Sequence, residues 1–384
     1  MRMGSPGYGV RETNFGTEAP FALGVEEELL LVGDDNELLD RGRQALREAD
    51  PDEGSLAGEL FQAMVESNTD VTRNAAEATA VLRSVRAELI ASGSRVMGVG
   101  VHPSAPSWES AVAPDARYRL IAHSLQGVLR TPICGLHVHV GMPDVGSAVR
   151  AYNGIRTHIP LLNALASNSP FWFGEDSGLA SSRTAIFRSY PRSAMAPQIA
   201  DFDDYRRIVG QVCKAGGLED YTHIWWDARL HPALGTIEIR AADAQFDLRR
   251  VGAIAALVHC LARVESDRDQ RGIPAREALA EASFQATRHG LDAVLLDRRC
   301  DPAPARALAS LALEEAAAVA AEFDCEAELG MIEAILDQGS GADLQRRVYA
   351  DEGMDGVLAY LVRQTAKPHT PDAPPAPVVP SRPG

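Results

Sequence analysis

Lysine is almost absent from this chain. The sequence of 384 residues contains 37 basic residues, of which only Lys214 and Lys367 are lysines and the rest are arginines. No G-x-x-x-x-G-K-[ST] segment occurs, which excludes a phosphate-binding loop of the Walker A type. A Schiff-base mechanism would have to depend on one of these two lysines.

Positive charge is scarce as well. The chain has 53 acidic and 37 basic residues, which gives a formal net charge of -16. Nucleic acid and anionic lipid are bound through clustered basic residues, so neither a nucleic-acid nor a membrane partner is expected. Hydrophobic residues make up 46% and charged residues 23% of the sequence, as is usual for soluble globular proteins.

Paired cysteines and long apolar runs are also missing. The five cysteines are far apart and form no C-x-x-C motif, which predicts reduced thiols rather than disulfides or a zinc ribbon. No apolar run reaches the ~18 residues that a transmembrane helix needs. Residues 1–17 lack the apolar core of a signal peptide. These absences predict a cytoplasmic protein.

The pattern of apolar residues changes near residue 247, from short strand candidates that alternate with helices to a continuous helical periodicity. We predict a flexible leader at 1–18, a single domain at 19–366, and a disordered proline-rich tail at 367–384. Within the domain we expect an α+β fold, with an antiparallel sheet, helices on one face and a helical region from about 248. A regular βαβ rhythm is missing, so a Rossmann fold is not expected. The predicted strands are 21–32, 95–101, 133–142, 223–229 and 235–242, and the upstream helices are 73–91 and 148–168.

Three of these strands carry charged or imidazole side chains two residues apart. Residues i and i+2 of a strand share one face of the sheet, while the apolar residues between them face the core. A polar face that meets only water is the ordinary interpretation of one such strand. Three such strands, each flanked by glycine, favour a functional face instead. The pairs are Glu26 and Glu28, His137 and His139, and Glu238 and Arg240.

A divalent cation would make such a face favourable. Neighbouring carboxylates raise one another's pKa, and a bound cation reverses that effect. Oxygen ligands favour Mg²⁺, with Mn²⁺ as the alternative. Zinc is the rival, because a His-x-His pair on a strand suits it. The number of carboxylates favours magnesium.

A further acidic pair, Glu59 and Glu66, is separated by seven residues. On a helix the two side chains would share a face, because seven residues make two turns. On an uninterrupted strand they would point in opposite directions. A surface helix is the ordinary interpretation of this segment.

Taken together, the motifs resemble those of the type 2 glutamate–cysteine ligase family, also called the carboxylate–amine ligases. The similarity extends from about residue 20 to 365, and the motifs occur in one order. They are Gly-Val-Glu-Glu-Glu at 24–28, Glu59 with Val65-Glu66-Ser67, Cys-Gly-Leu-His-Val-His-Val at 134–140, Asn-Ser-Pro-Phe-Trp at 168–172, Gly-Leu-Ala-Ser-Ser-Arg-Thr at 178–184, and Gly-Thr-Ile-Glu-Ile-Arg at 235–240.

The resemblance implies a glutamine-synthetase-like fold, whose open antiparallel sheet carries metal and nucleotide on one face. It also implies ATP-dependent joining of a carboxylate to an amine through an acyl phosphate, with weak γ-glutamylcysteine formation as the usual activity. The expected metal ligands are Glu26, Glu28, Glu59, Glu66, His137 and Glu238. Arg240 is expected to contact the transferred phosphate, so we expect Glu238 and Arg240 to be catalytic. His139, Arg183 and Arg229 are the expected contacts of substrate or nucleotide.

The implied partners are a small-molecule carboxylate and an amine, in particular amino acids. Two alternatives stay open at this point. A zinc amidohydrolase or peptidase would use His137, His139 and a glutamate-bound water. A non-catalytic relative would bind nucleotide without turnover. A homodimer is expected only because symmetric dimers are the commonest oligomers.

Overall fold

The computed structural model describes residues 9–10, 13–106, 108–269 and 272–368. The strands are β1 Leu23–Val32, β2 Ser55–Gly58, β3 Met64–Asn68, β4 Arg95–Met97, β5 Gly135–Gly141, β6 Phe171–Trp172, β7 Glu175–Asp176, β8 Ala228–His231, β9 Thr236–Asp243, β10 Val294–Leu296 and β11 Pro302–Pro304. The helices are α1 Gly42–Glu48, α2 Ala75–Ala91, α3 Ala116–Leu125, α4 Val145–Ile155, α5 Ile159–Ala166, α6 Ser182–Arg188, α7 Phe202–Gly216, α8 Leu248–Asp267, α9 Arg276–His289, α10 Ala305–Ala317, α11 Glu326–Gln338 and α12 Gly341–Thr365.

Seven strands form one antiparallel sheet. Its main path runs β2-β3-β1-β5-β9-β8, and β4 pairs with the end of β1. Every described pairing in this sheet is antiparallel. The central strands β1, β5 and β9 come from distant parts of the chain, so residues far apart in sequence become neighbours across the sheet.

One face of the sheet packs against the main helical layer. Val25, Val138 and Ile239 alternate with polar residues along β1, β5 and β9, and all three are buried in the largest apolar cluster. Helices α4, α5 and α8 contribute to the same cluster, and α8 is buried on nearly all sides. Because side chains alternate across a strand, this core directs the polar residues between them to the opposite face.

The upstream helices form close to their predicted positions. Helix α2 begins after Asn74, whose side chain accepts a hydrogen bond from the backbone N–H of Glu77, as an N-cap residue should. The predicted helix at 148–168 is divided into α4, a short 3₁₀ segment and α5, which has Pro160 in its first turn. Downstream, α8 to α12 form the predicted helical region. The predicted α+β fold is therefore confirmed.

Two local predictions are wrong. The segment of Glu59 and Glu66 is not a helix, because Glu59 follows β2 and Glu66 lies within β3 of an antiparallel pair. The predicted strand at 223–229 is also not continuous. A 3₁₀ turn, Tyr221–His223, precedes irregular backbone, and β8 begins only at Ala228.

The predicted leader and tail lie partly outside the described residues. Within the leader, the backbone N–H of Asn14 donates to Pro232 O at 2.8 Å, and that of Gly16 donates to Met142 O at 3.0 Å. The segment around Asn14 therefore lies beside the sheet. The predicted boundaries at 18/19 and 366/367 stay a prediction. Among the described residues, no helix is long and apolar enough to cross a bilayer.

Candidate active site

A cavity of about 290 Å³ lies on the polar face of the sheet. Helix α3 and the segments that precede β8 complete its walls. Every site residue predicted from the sequence lines this cavity: Glu26, Glu28, Glu59, Glu66, His137, His139, Arg183, Arg229, Glu238 and Arg240.

The strand register brings these residues together. Glu28 of β1 lies opposite Glu66 of β3. On the other side of β1, Glu26 lies opposite His137 of β5. Glu238 of β9 has neighbours on both sides, His139 of β5 and Arg229 of β8. Paired side chains on one face of antiparallel strands are direct neighbours, so a row of ionisable groups crosses five strands.

Glu28, Glu59 and Glu66 form the carboxylate cluster. One oxygen of each lies within 4.8 Å of the others, as ligands of a shared cation would. Glu28 accepts a hydrogen bond from the backbone N–H of Gly135 at 2.5 Å, and Glu66 accepts one from the Asn68 amide at 3.0 Å. These contacts fix two carboxylates and still leave oxygen atoms that face the cavity.

The carboxylate cluster resists full ionisation. Burial, followed by repulsion from Glu28 and Glu66, raises the pKa of Glu59 to about 8. Burial, followed by repulsion from Glu26 and Glu28, raises the pKa of Glu66 to about 7. A divalent cation would remove this repulsion, so these groups have the electrostatic character of a metal site.

Glu26, His139 and Glu238 form the histidine cluster, whose ligand atoms also lie within 4.8 Å of one another. The Nε2 atom of His139 is 3.2 Å from Glu26 Oε1 and 4.0 Å from Glu238 Oε1. Burial opposes the charge of His139, but Glu26 and Glu238 raise its pKa overall. Burial likewise raises the pKa of Glu26, yet His139 and His137 outweigh it and the net shift is downward.

His137 lies between the two clusters. Its Nδ1 atom is 3.2 Å from Glu26 Oε2, and its Nε2 atom is 3.9 Å from Glu28 Oε1. Burial and the nearby Arg240 lower the pKa of His137, which favours the neutral imidazole. The Nε2 atom of His137 is buried without a hydrogen-bond partner, whereas that of His139 faces the Glu26 carboxylate. Such a nitrogen atom suits a metal ion or a phosphate oxygen, so His137 and the neighbouring carboxylates fit a bound cation.

Two arginines hold Glu238. Arg229 Nε donates to Glu238 Oε2 at 2.8 Å, and Arg240 contacts Glu238 Oε1. Burial raises the pKa of Glu238, but these two guanidinium groups lower it more. Both oxygens of Glu238 are therefore occupied, and a cation at Glu238 would require the Arg240 contact to give way. The predicted shared face of Glu238 and Arg240 is confirmed.

Arg183 of α6 reaches the sheet face over Gly135. A Cβ atom at Gly135 would come within 2.3 Å of Arg183 Nη2 and 2.9 Å of His137 Nε2. Arg183 also lies 4.0 Å from the buried carboxylate of Asp243. Glycine at this position therefore allows the guanidinium to approach the cavity.

Sequence reasoning missed several cavity residues. Arg117 and Tyr118 of α3 line the wall opposite the sheet, and the Tyr118 hydroxyl donates to Gly58 O at 2.6 Å. Tyr190, which follows α6, is a further wall residue. No motif or spacing marks these residues, because only the tertiary fold brings them to the cavity.

Comparison with known proteins identifies the family. The model of glutamate–cysteine ligase family 2 matches residues 22–364. A relative from Rubrobacter xylanophilus is 39% identical over 92% of this chain and 100% of its own. Glutamate–cysteine ligases of Haloferax volcanii and Halobacterium salinarum are each 34% identical over 88% of this chain, and over 95% and 96% of their own lengths.

Solved structures show the same fold at low sequence identity. A glutamate–cysteine ligase from Francisella tularensis, solved with AMP, has a TM-score of 0.69 at 12% identity, covering 93% of this chain and 89% of its own. A bifunctional glutathione synthetase from Pasteurella multocida has a TM-score of 0.61 at 14% identity, covering 90% of this chain and 52% of its own.

The fold and the family define an enzyme of the carboxylate–amine ligase class. The chain belongs to glutamate–cysteine ligase family 2. This membership favours the ligase interpretation over the zinc hydrolase.

Proposed function

We propose that this enzyme uses ATP to join the carboxylate of glutamate, or of a related amino acid, to an amine through an acyl phosphate. One observation carries the proposal: the carboxylate cluster and the histidine cluster lie in the same cavity as four arginines, Arg117, Arg183, Arg229 and Arg240. ATP brings several negative charges, and the four arginines together with cations held by the two clusters would complement them. Relatives named as glutamate–cysteine ligases support glutamate as the carboxylate donor.

The carboxylate cluster and the histidine cluster, together with His137, would hold Mg²⁺ or Mn²⁺. When bound, such cations neutralise phosphate charge and orient phosphate oxygens for transfer. Support comes from the raised pKa values of Glu59 and Glu66 and from the buried Nε2 atom of His137, which has no hydrogen-bond partner.

In the first step, a carboxylate oxygen of the donor attacks the γ-phosphorus of ATP. The bond from that phosphorus to the bridging oxygen breaks, and its electron pair leaves with ADP. Phosphoryl transfer depends mainly on positioning and on stabilisation of charge. Arg240 is suited to this task because burial lowers its pKa but Glu238 raises it more, so the guanidinium stays charged. Its Nε atom is buried and has no partner, so it is available to a phosphate oxygen.

In the second step, the amine nitrogen attacks the acyl carbon. The C–O bond to phosphate breaks, inorganic phosphate leaves with the electron pair, and the nitrogen releases its proton to that phosphate or to solvent. Water competes with the amine, so the cavity must limit its access. Phe61, Met64, Ile121 and Leu125 form an apolar part of the cavity wall that serves this purpose.

A substrate panel tests the proposal. Purified enzyme is incubated with ATP, Mg²⁺, carboxylates and amines, and ADP and the product mass are measured. ADP release that depends on both substrates, with a product at the mass of the amide, is the expected result. Nucleotide binding with no such turnover would instead identify a non-catalytic relative.

The proposal includes a cytoplasmic location and a homodimer. All five cysteines are free thiols, which agrees with a reducing compartment. The dimer is supported only by the frequency of symmetric dimers among oligomers. Cell fractionation tests the location, and light scattering tests the dimer.

A further inference from the structure

Two sequence motifs, at 168–172 and 178–184, meet at the start of helix α6. Of their residues, only Arg183 lines the active-site cavity. Ser169 and Ser181 form an isolated parallel bridge, so the two motifs lie side by side. Ser181 is the N-cap residue of α6, the helix that carries Arg183. This position indicates that the remaining residues of the two motifs help to place Arg183.

The buried carboxylate of Asp243 joins the two motifs. Asp243 is the last residue of β9, and its side chain is 1% exposed. Its Oδ2 atom accepts hydrogen bonds from the backbone N–H of Asn168 at 2.9 Å and from the Ser169 hydroxyl at 2.7 Å. Its Oδ1 atom accepts one from the Ser181 hydroxyl at 2.8 Å. The carboxylate therefore fixes the direction of both hydroxyl groups.

The two serines bind the backbone of the first turn of α6. Ser169 accepts the N–H groups of Ser182 and Arg183, through its carbonyl oxygen at 2.8 Å and its hydroxyl oxygen at 3.1 Å. The hydroxyl oxygen of Ser181 accepts the N–H group of Thr184 at 3.1 Å. These N–H groups have no partner within the helix. Because the buried carboxylate takes the proton of each hydroxyl, the lone pairs of both oxygens remain for the helix, and the start of α6 is tied to the end of β9.

The guanidinium of Arg183 is buried without a hydrogen-bonded counter-ion. Its side chain is 4% exposed, and among the described residues no carboxylate lies closer to it than that of Asp243, at 4.0 Å. The Nη2 atom donates to Arg240 O at 3.4 Å, and the Nε atom has no partner. A buried cation is unfavourable unless an anion pairs with it. This guanidinium therefore suits a carboxylate or phosphate oxygen in the cavity.

We propose that Asp243, through Ser169 and Ser181, is the positioning residue that holds Arg183 against an oxyanion of the substrates. That oxyanion is a phosphate of ATP or the carboxylate of the donor, so the inference rests on the proposed function for its ligands. Asp243 does not line the cavity and acts on the ligand through Arg183. The backbone N–H groups at the start of α6 are occupied by the two serines, which leaves the guanidinium as the contact.

Direct binding measures the placement of Arg183 without turnover. Calorimetry in the presence of Mg²⁺ gives Kd separately for a non-hydrolysable ATP analogue and for glutamate. We expect Arg183→Met to raise one of the two Kd values by about tenfold or more, as the loss of a charge-assisted hydrogen bond should. Ser169→Ala keeps the guanidinium but removes one of its supports, so it should raise the same Kd by about threefold or more and leave the other unchanged.

A double-mutant cycle separates positioning from general destabilisation. The double variant Ser169→Ala/Arg183→Met should bind as Arg183→Met does, because the serine then has no guanidinium to position. Ser147→Ala is the matched control, since the Ser147 hydroxyl donates to Asp144 at 2.7 Å at the start of α4, away from the cavity. It removes the same kind of hydrogen bond and should leave both Kd values unchanged.

Two variants test Asp243 itself. Asp243→Asn keeps an amide oxygen that can accept from Asn168 and Ser169, so it should bind both ligands no more weakly than the wild type. Asp243→Leu removes every acceptor and should raise the affected Kd at least as much as Ser169→Ala does. If the leucine variant does not fold, the Ser169→Ala cycle decides the matter.

The outcomes separate this inference from the proposed function. If Arg183→Met raises neither Kd, Arg183 does not bind these ligands and the inference fails. Unchanged Kd values in a folded Ser169→Ala protein, or a further loss in the double variant, would overturn the positioning role and leave the ligase function intact. An equal loss in Asp243→Asn and Asp243→Leu would overturn the role of the Asp243 hydrogen bonds. A wild-type protein that forms no amide would refute the proposed function, and the Kd values would still decide the positioning role.

Discussion

Replacement of Arg240 by alanine removes the cation that we assign to the transferred phosphoryl group. Arg240 lines the cavity, contacts Glu238, and carries a buried Nε atom without a partner. In the variant, Glu238 keeps its hydrogen bond from Arg229 at 2.8 Å. The carboxylate is therefore not left unpaired, and the fold should survive the substitution.

The expected loss follows from the role of a fixed cation. Removal of one preorganised group that stabilises transition-state charge typically lowers kcat by ~10²- to 10³-fold, which corresponds to ~2.7–4 kcal/mol of barrier. We expect Arg240→Ala to lose at least ~100-fold in kcat, and Glu238→Ala to show a loss of the same order. Arg240→Lys keeps the charge without the planar fork, so its loss should be intermediate.

The assay is steady-state release of ADP in the presence of donor and acceptor, with amide formation followed by mass. Arg346→Ala is a matched control, because Arg346 pairs with Asp176 away from the cavity. Its kcat should equal that of the wild type. A folded Arg240→Ala enzyme with kcat within about threefold of the wild type would refute the reasoning.

Three further predictions concern the metal site, the core and the backbone. Since the pKa of Glu59 is raised to about 8, Mg²⁺ must displace a proton at pH 7, so its affinity should rise with pH up to about 8. Calorimetry in buffers of different ionisation enthalpy should detect this proton, and Glu59→Gln should reduce the release to the smaller contribution of Glu66, whose pKa is about 7. Arg86→Met leaves the buried carboxylate of Glu27 unpaired. Urea unfolding should therefore show that the free energy of unfolding falls by roughly 3–5 kcal/mol, while the folded variant keeps a normal kcat. Gly135→Ala places a Cβ within 2.3 Å of Arg183 Nη2, and a normal KM for both substrates in this variant would show that the arginine does not touch them.

The pattern of alternation within single strands predicts much of the candidate site. The apolar residues of β1, β5 and β9 pack into one core, which fixes the face of Glu26, His137 and Glu238. The family motifs add Glu59, which no spacing could have placed beside Glu28.

The pairing of distant strands could not be derived from local sequence. Glu26 meets His137 across β1 and β5, because the register is set by tertiary packing of the whole sheet. The spacing of Glu59 and Glu66 fits two helical turns, yet the turn between β2 and β3 brings them together instead. Arg117 carries no pattern at all, since only the position of α3 over the sheet makes it a cavity residue.

Anomalous diffraction from crystals equilibrated with Mn²⁺ and a non-hydrolysable ATP analogue tests the central claim most directly. The account predicts Mn²⁺ peaks within coordination distance of the carboxylate cluster and the histidine cluster, with the phosphates of the analogue directed towards Arg240. The absence of any peak in the cavity, with the nucleotide bound elsewhere, would contradict it.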